Sequence, residues 1–221
     1  SDVYKRQVPK GATHRRRSHG RMKIPEFAEQ PELDPWLWLQ KWLNDAEEEG
    51  ENEPTAMALS TLSKEGSPRT RFVLCKGVSK AGIRFFTNLN SAKGDEISRN
   101  PIASVAFHWP KLNRQVRAQG KLNRVSEDEA NEYFHSRNRL SKIGAWASKQ
   151  SQPLESRDAL LKSVEEFSDK FKSDVPRPPH WSGFHLVPDY WEFWQGHEGR
   201  LHDRWAIHPE GDSWISWRLF P

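Results

Sequence analysis

AMALSTLSKEGSPRTRFVLCK, residues 56–76, is the stretch whose reading decides the fold. Ala56–Leu62 reads as a strand, Lys64-Glu65-Gly66-Ser67 as a tight turn, and Thr70–Lys76 as a second strand. The three together make a β-hairpin. Upstream of Thr55 the period is that of a helix. Asp34 is a good N-cap, Pro35 suits the first helical position, and Trp36, Leu39, Trp42, Leu43 and Ala46 then recur at helical spacing. The acidic stretch through Gly50 to Pro54 ends that helix.

Downstream, Ala81-Gly82 turns the chain into a third strand, Ile83–Thr87, and Ser91 caps a short helix through Arg99. Ile102–Trp109 and Gln115–Val125 are further strands. Ser126 and Glu129 form a capping box that opens a helix carrying Ala130, Tyr133 and Phe134. A longer amphipathic helix is expected from about Glu155 to Phe171. The proline-rich Pro176–Trp181 connector then leads to four strands, Gly183–Val187, Tyr190–Gln195, Arg204–His208 and Ser213–Leu219. Antiparallel strands with a few helices between them imply an α+β protein built on a β-barrel. Residues 1–30 are expected to be unstructured and residues 31–221 to form one domain.

Composition narrows the function classes. The 221 residues are 35% hydrophobic and 29% charged, with eleven Trp and eleven Phe, so most of the rings belong to core or pocket walls. No run approaches the ~20 apolar residues that span a bilayer, and no short apolar segment opens the chain; a cytoplasmic protein with no membrane partner is expected. The single Cys75 cannot form an intramolecular disulfide, lies in an apolar run and is read as a small core hydrophobe. No CxxC or Cys/His spacing suggests a metal. A net charge of +4 and a pI near 9.2 call for an anionic partner. The densest basic stretch, HRRRSHGR (His14–Arg21), has no hydrophobic periodicity and reads as a solvated tail. The other cations are scattered through structured segments, which suits a pocket better than a nucleic-acid groove.

Three clusters combine cations, hydroxyls and amides. In RFVLCK, alternation puts Arg71 and Lys76 on opposite faces of a strand, and a strand with ordinary charged ends explains the segment best on its own. In YFHSRNRLSKIGAWASKQS (Tyr133–Ser151), Tyr133 and Arg137 lie four apart on a helix and Ser141 follows after a turn. Such a trio can hold a phosphate dianion, and a surface pair with a loop serine explains it equally well. In EFWQGHEGRLHDR (Glu192–Arg204), a strand would send Arg200, His202 and Arg204 to one face. Three such groups repel unless an anion or acceptor sits among them. Trp194 and Leu201 imply a partly buried neighbourhood.

At these clusters the chain resembles the pyridoxamine 5′-phosphate oxidase family. The last cluster nearly matches that family's signature, with Trp191 where a smaller aliphatic residue is usual, and the resemblance extends from Asp34 to Pro221 through FFTN, RQVRAQG, IGAWAS and RLFP in the family's order. It implies a split β-barrel homodimer with flanking helices and FMN at the subunit interface. The implied FMN contacts are Arg71, Phe72, Val73, Leu74, Cys75, Lys76, Phe86, Thr87, Lys93, Gln115, Gln150, Ser151, Trp194 and Arg204. Lys76, Tyr133, Arg137 and Ser141 would hold the substrate phosphate, while Arg200 and His202 would lie over the substrate ring as catalytic residues. The implied reaction oxidises pyridoxamine or pyridoxine 5′-phosphate to pyridoxal 5′-phosphate, with electrons passing through FMN to oxygen and release of hydrogen peroxide. The chain departs from the family in having Ser91-Ala92-Lys93 where Ser-Arg-Lys is usual, and in lacking the N-terminal Arg and Tyr of a substrate lid. The rival readings are a related flavin oxidase of another ring, of the phenazine-pathway type, and a non-catalytic flavin- or pyridoxal-phosphate-binding protein.

Overall fold

The computed structural model describes residues 34–221; the stretch His14–Arg21 and the unstructured segment expected over residues 1–30 lie outside the described residues. Helix α1 (Pro35–Glu48) starts where the sequence demands. The Asp34 carboxylate accepts from the Trp36 N–H at 2.9 Å, and Pro35 takes a position where the missing N–H costs nothing. The buried stripe of α1 includes all five residues expected there, Trp36, Leu39, Trp42, Leu43 and Ala46. Trp36 meets Trp191 edge-on at 4.9 Å, and Trp42 meets Phe193 at 5.3 Å, so the helix covers one face of the sheet. Side chains of this kind stabilise by ~1.5–3 kcal/mol each when taken fully out of water.

The hairpin is present as β1 (Ala56–Leu62) and β2 (Pro68–Leu74), turning at Gly66 with φ +78°. The second strand begins and ends two residues earlier than Thr70–Lys76. The Cys75 N–H turns to the Thr55 carbonyl, and the Lys76 N–H donates to the Arg84 carbonyl at 2.7 Å. The chain then enters the two-residue β3 (Val78–Ser79), which pairs with β4 (Gly82–Asn88). With β5 (Ile102–Trp109), β6 (Arg114–Arg124), β7 (Trp181–Gln195), β8 (Asp203–Glu210) and β9 (Ser213–Arg218), these strands form one nine-stranded sheet. Its main path runs β2-β1-β5-β6-β7-β4-β3, with β8 on β7 and β9 on β8, and every pairing is antiparallel. The two ends of that path, β2 and β3, are consecutive in the chain, separated by Cys75–Gly77 alone.

Strand β7 corrects the sequence reading, which divides it in two around Pro188. Gln119 pairs with Tyr190 and Gly120 with Pro188, so Asp189 is an extra, unopposed residue and the break is a β-bulge. Only glycine fits at position 120, because a Cβ there would lie 2.1 Å from the Val187 carbonyl oxygen. Around the bulge β7 changes partners. Residues 181–186 pair with β4, and residues 191–195 pair with β8.

Three helices cover a second, smaller core of Phe134, Ile143, Val175 and Trp181. Helix α3 (Glu127–Ser136) opens with the expected capping box and α5 (Arg157–Lys170) with Ser156 as its cap. Between them, α4 (Arg139–Ala147) stands where no helix was expected, capped by Asn138, whose side chain accepts from the Ser141 N–H at 2.8 Å. Helix α2 (Ala92–Arg99) is capped by Ser91 as read. No helix among the described residues is long and apolar enough to cross a membrane.

Candidate active site

A cavity of about 720 Å³ opens between the outer edge of β2, the end of β4, the start of α2 and the α3–α4 connection. Four consecutive residues of β2, Arg71, Phe72, Val73 and Leu74, line it. Consecutive residues alternate faces, so the strand turns its edge to the cavity. Among the described residues no second strand pairs along that edge, since β2 pairs with β1 alone.

At one end of the cavity stands Lys93. Its ammonium donates to the side chains of Gln150 at 2.7 Å, Thr87 at 3.1 Å and Ser91 at 3.3 Å. Burial, reinforced by the nearby Arg71 cation and opposed by Glu96, lowers its pKa to about 8. Arg71 is itself held by Glu96 at 2.9 Å and by Thr61. Burial works to raise the Glu96 pKa, but bonds from Thr61 and Arg71 hold the carboxyl below the usual range.

At the other end Lys76, Tyr133, Arg137 and Ser141 converge. Tyr133 does so from α3, as read from sequence, whereas the other three arrive by a different route. Lys76 does so because the chain leaves β2 at Leu74, so the opposite-face argument does not apply. Arg137 is the C-cap of α3, with ψ 150°, and is therefore not an i,i+4 helical partner of Tyr133. Ser141 sits in the first turn of α4. The Arg137 guanidinium lies 5.0 Å from the Trp181 ring centre, and its Nη1 is buried with no hydrogen-bond partner among the described residues. Burial lowers the Arg137 pKa, and the nearby Tyr133 opposes the shift. An unpartnered guanidinium nitrogen beside a lysine, a phenol and a hydroxyl fits an anion with several acceptor oxygens.

Cavity size, a polar strand edge and cations at both ends also fit a flavin mononucleotide with its phosphate near Lys93. Phe86, Thr87 and Gln150 line the same space. Trp181, Asn88, Asn138, Gly144, Ala145 and Ser148 line it too, and the sequence reading had assigned them no role there. Ala92, the first residue of α2, is not part of the lining.

The remaining expected site residues lie elsewhere. Cys75 is buried in the main core and does not line the cavity; burial raises its thiol pKa. Ser151 is exposed with φ +70° and also stands off the lining. Gln115, Trp194 and Arg204 face one another across β6, β7 and β8, and His202 packs on the Trp194 ring at 4.7 Å. Arg204 chelates the buried Glu192 at 2.9 and 3.1 Å, with Arg117 and Tyr190 completing the carboxylate's partners. Burial pushes the Glu192 pKa up, yet these arginines hold it below the usual carboxylate value. Arg200, His202 and Arg204 do not project from one strand. Glu198–Arg200 is a single 3-10 turn in which Gly199 and Arg200 both have positive φ, and β8 begins only at Asp203. Leu201 is 74% exposed, against the burial expected of it. The site residues thus form two groups at opposite ends of β7. Trp194 stands thirteen positions after Trp181, roughly 40 Å along an extended strand.

The sequence profile of the family described as "Pyridoxamine 5′-phosphate oxidase" matches residues 43–171, and that described as "Pyridoxine 5′-phosphate oxidase C-terminal dimerisation region" matches residues 181–221. The chain belongs to the pyridoxamine 5′-phosphate oxidase family. Among family members, a pyridoxine/pyridoxamine 5′-phosphate oxidase of Rhodospirillum rubrum is 47% identical over 194 residues, 85% of this chain and 96% of that protein. One of Bordetella pertussis is 46% identical, covering 87% and 92%. The crystal structure of PhzG from Burkholderia lata, in complex with tetrahydrophenazine-1-carboxylic acid, superposes with a TM-score of 0.84 at 29% identity over 90% of this chain and 97% of that one. A pyridoxamine 5′-phosphate oxidase-related, FMN-binding protein of Nostoc punctiforme shares the family fold, with a TM-score of 0.69 at 18% identity over 86% and 99%. The second family profile begins at residue 181, the start of β7, whose first residue lines the cavity and whose far end carries Trp194.

Proposed function

We propose that the protein is an FMN-dependent oxidase converting pyridoxamine 5′-phosphate or pyridoxine 5′-phosphate to pyridoxal 5′-phosphate. It works as a homodimer, with residues 31–221 forming one FMN-binding split-barrel domain. The observation that carries this reading is the buried, unpartnered Nη1 of Arg137, set in one cavity with Lys76, Tyr133 and Ser141. Relatives named for this reaction at 46–47% identity support the substrate class. The split barrel is supported by the short Cys75–Gly77 link between the two ends of the sheet path. The homodimer is supported by the dimerisation-region match and by the separation of the two site groups along β7. In an isologous pair, the Gln115–Trp194–Arg204 group of one chain can complete the cavity of its partner.

Bound FMN supplies a hydride acceptor that molecular oxygen reoxidises with release of hydrogen peroxide. Arg71, Lys93, Thr87 and Gln150 would hold its phosphate, and the outer edge of β2 would line the rest of its site. Lys76, Tyr133, Arg137 and Ser141 hold the substrate phosphate, whose charge is the same before and during reaction, so they contribute orientation. Arg200 stabilises charge changing at the reacting carbon. His202 contributes to fixing the ring.

The test is anaerobic. The purified protein should be yellow, release FMN and not FAD, and bleach on addition of pyridoxamine 5′-phosphate. Bleaching only by a reduced phenazine carboxylic acid would move the protein to the other flavin-oxidase reading. A protein that binds pyridoxal phosphate without turnover of either substrate would be a non-catalytic binder.

A further inference from the structure

Trp181 looks from sequence like the end of a proline-rich connector, yet it joins both sides of the phosphate end of the cavity. It is the first residue of β7 and only 6% exposed. Its N–H donates to the Pro178 carbonyl at 3.0 Å, and its carbonyl accepts from Arg177 at 2.6 Å, so the strand end is tied down. Its ring stacks on Phe86 at 5.2 Å with 3° between planes, and Phe86 stacks on Tyr133 at 4.2 Å with 10°. Phe134 meets it edge-on at 5.1 Å. Arg137 lies against the same ring at 5.0 Å and against Phe134 at 5.7 Å.

A guanidinium on a long stem is normally aimed by a carboxylate. No carboxylate pairs with Arg137 among the described residues, its backbone has left the helix, and its Nη1 is unsatisfied. The aromatic faces are therefore what hold it in place. We propose that Trp181 is the positioning residue of the phosphate clamp. Its indole sets the angle from which Arg137 donates to a phosphate monoester and, through Phe86, keeps Tyr133 in register with it. The inference rests on the reading of this cavity as a phosphate-ester site. It makes discrimination between phosphorylated and unphosphorylated substrates depend on a residue that forms no bond to either.

The test uses the FMN-loaded protein and the variants Trp181→Leu, Trp181→Phe and Arg137→Ala, with FMN content and thermal unfolding as folding controls. Inorganic phosphate is titrated calorimetrically into each, and steady-state constants are measured with pyridoxamine 5′-phosphate. Loss of a part-buried cation–π contact is expected to weaken phosphate binding and raise KM roughly tenfold in Trp181→Leu, with kcat changed less than about twofold. Trp181→Phe, which keeps a flat ring, should recover most of both losses. Unchanged phosphate binding in Trp181→Leu, beside a clear loss in Arg137→Ala, overturns the role of Trp181 and leaves the substrate class standing. Unchanged binding in Arg137→Ala overturns the phosphate-site reading itself. A parallel fall in kcat not recovered by phenylalanine marks Trp181 as a general core residue and also overturns the proposal. Should Trp181→Leu fail to retain FMN, Trp181→Met supplies the same comparison without a ring, and wild-type phosphate affinity there would sink the idea.

Discussion

Lys93 holds its proton less firmly than an ordinary lysine, because burial and the neighbouring Arg71 bring its pKa to about 8. A phosphate beside it favours the cation and raises that value. Below about pH 8 the free protein already carries the charge and binding takes up no proton there. Above it, binding must capture one, so affinity falls with rising pH. The FMN dissociation constant from fluorescence titration should therefore rise by up to about tenfold between pH 8 and pH 9. Lys93→Arg should flatten the profile, because a guanidinium stays charged throughout. A flat wild-type profile would remove Lys93 from the FMN phosphate. In the unliganded protein the depressed pKa makes a stability contribution that is complete above the ordinary lysine value of 10.5 and lost as pH falls through about 8. His202 carries a second residue-scale expectation. Its Nδ1 accepts the His197 N–H at 3.1 Å, so the neutral ring must bear its proton on Nε2 and present a donor. The His197 ring in turn bonds Asp203 at 2.7 Å, bracing the turn that carries Arg200. Nitrogen-detected NMR of His202 should show the Nε2–H tautomer; an Nδ1–H signal would contradict the geometry. Of these features, only the identities of Lys93, Arg200 and His202 were legible beforehand, and through ordered motifs shared with a family. Their environments depend on contacts up to 57 positions apart, such as Lys93 with Gln150, which no local pattern encodes.

Among the elements, those with a chemical start signal were readable: α1 from Asp34-Pro35, α2 from Ser91, and α3 from the Ser126–Glu129 box. Helix α4 has an equally good cap in Asn138 but buries only Ile143 and Ala147. Its other inward positions, Ser141, Gly144, Ala145 and Ser148 at its C-cap, line the cavity. A helix that spends half its inner face on a ligand space shows a thin apolar stripe, and hydrophobic period alone passes over it. Strand β7 was misread for the converse reason, since Pro188 is a turn signal in isolation and a bulge residue once β6 lies beside it. The bulge depends on Gly120, and an added methyl must displace the Val187 backbone. Gly120→Ala should destabilise the protein by about 1–3 kcal/mol, as overpacking of a tight contact does. Chemical denaturation should show a lower midpoint at unchanged slope. A wild-type midpoint would mean the β6–β7 register can relax without cost.

For the molecule as a whole, the two groups of site residues along β7 give a sharp expectation. If each active site takes its cavity from one chain and Arg200, His202 and Arg204 from the other, lesions in the two groups should complement. A heterodimer of one Arg137→Ala chain and one Arg200→Ala chain has one doubly damaged site and one intact site. Purified through two different tags, it should show about half of wild-type activity at subsaturating substrate, with both mutant homodimers well below that. No recovery would place both groups in one chain's site. The partner swap within β7 also bears on how the chain is made. Before Trp181 leaves the ribosome, β4 has only the two-residue β3 beside it, and one side of β6 is bare. Pairing of residues near 85 with residues near 184 closes a loop of about 100 residues, which belongs to the slow class of folding events. Nascent chains that end in the proline-rich connector should therefore stay protease-sensitive, with the bare edges of β4 and β6 exposed to neighbours and to chaperones. The yellow colour of a bound flavin should arrive only after β7 has emerged.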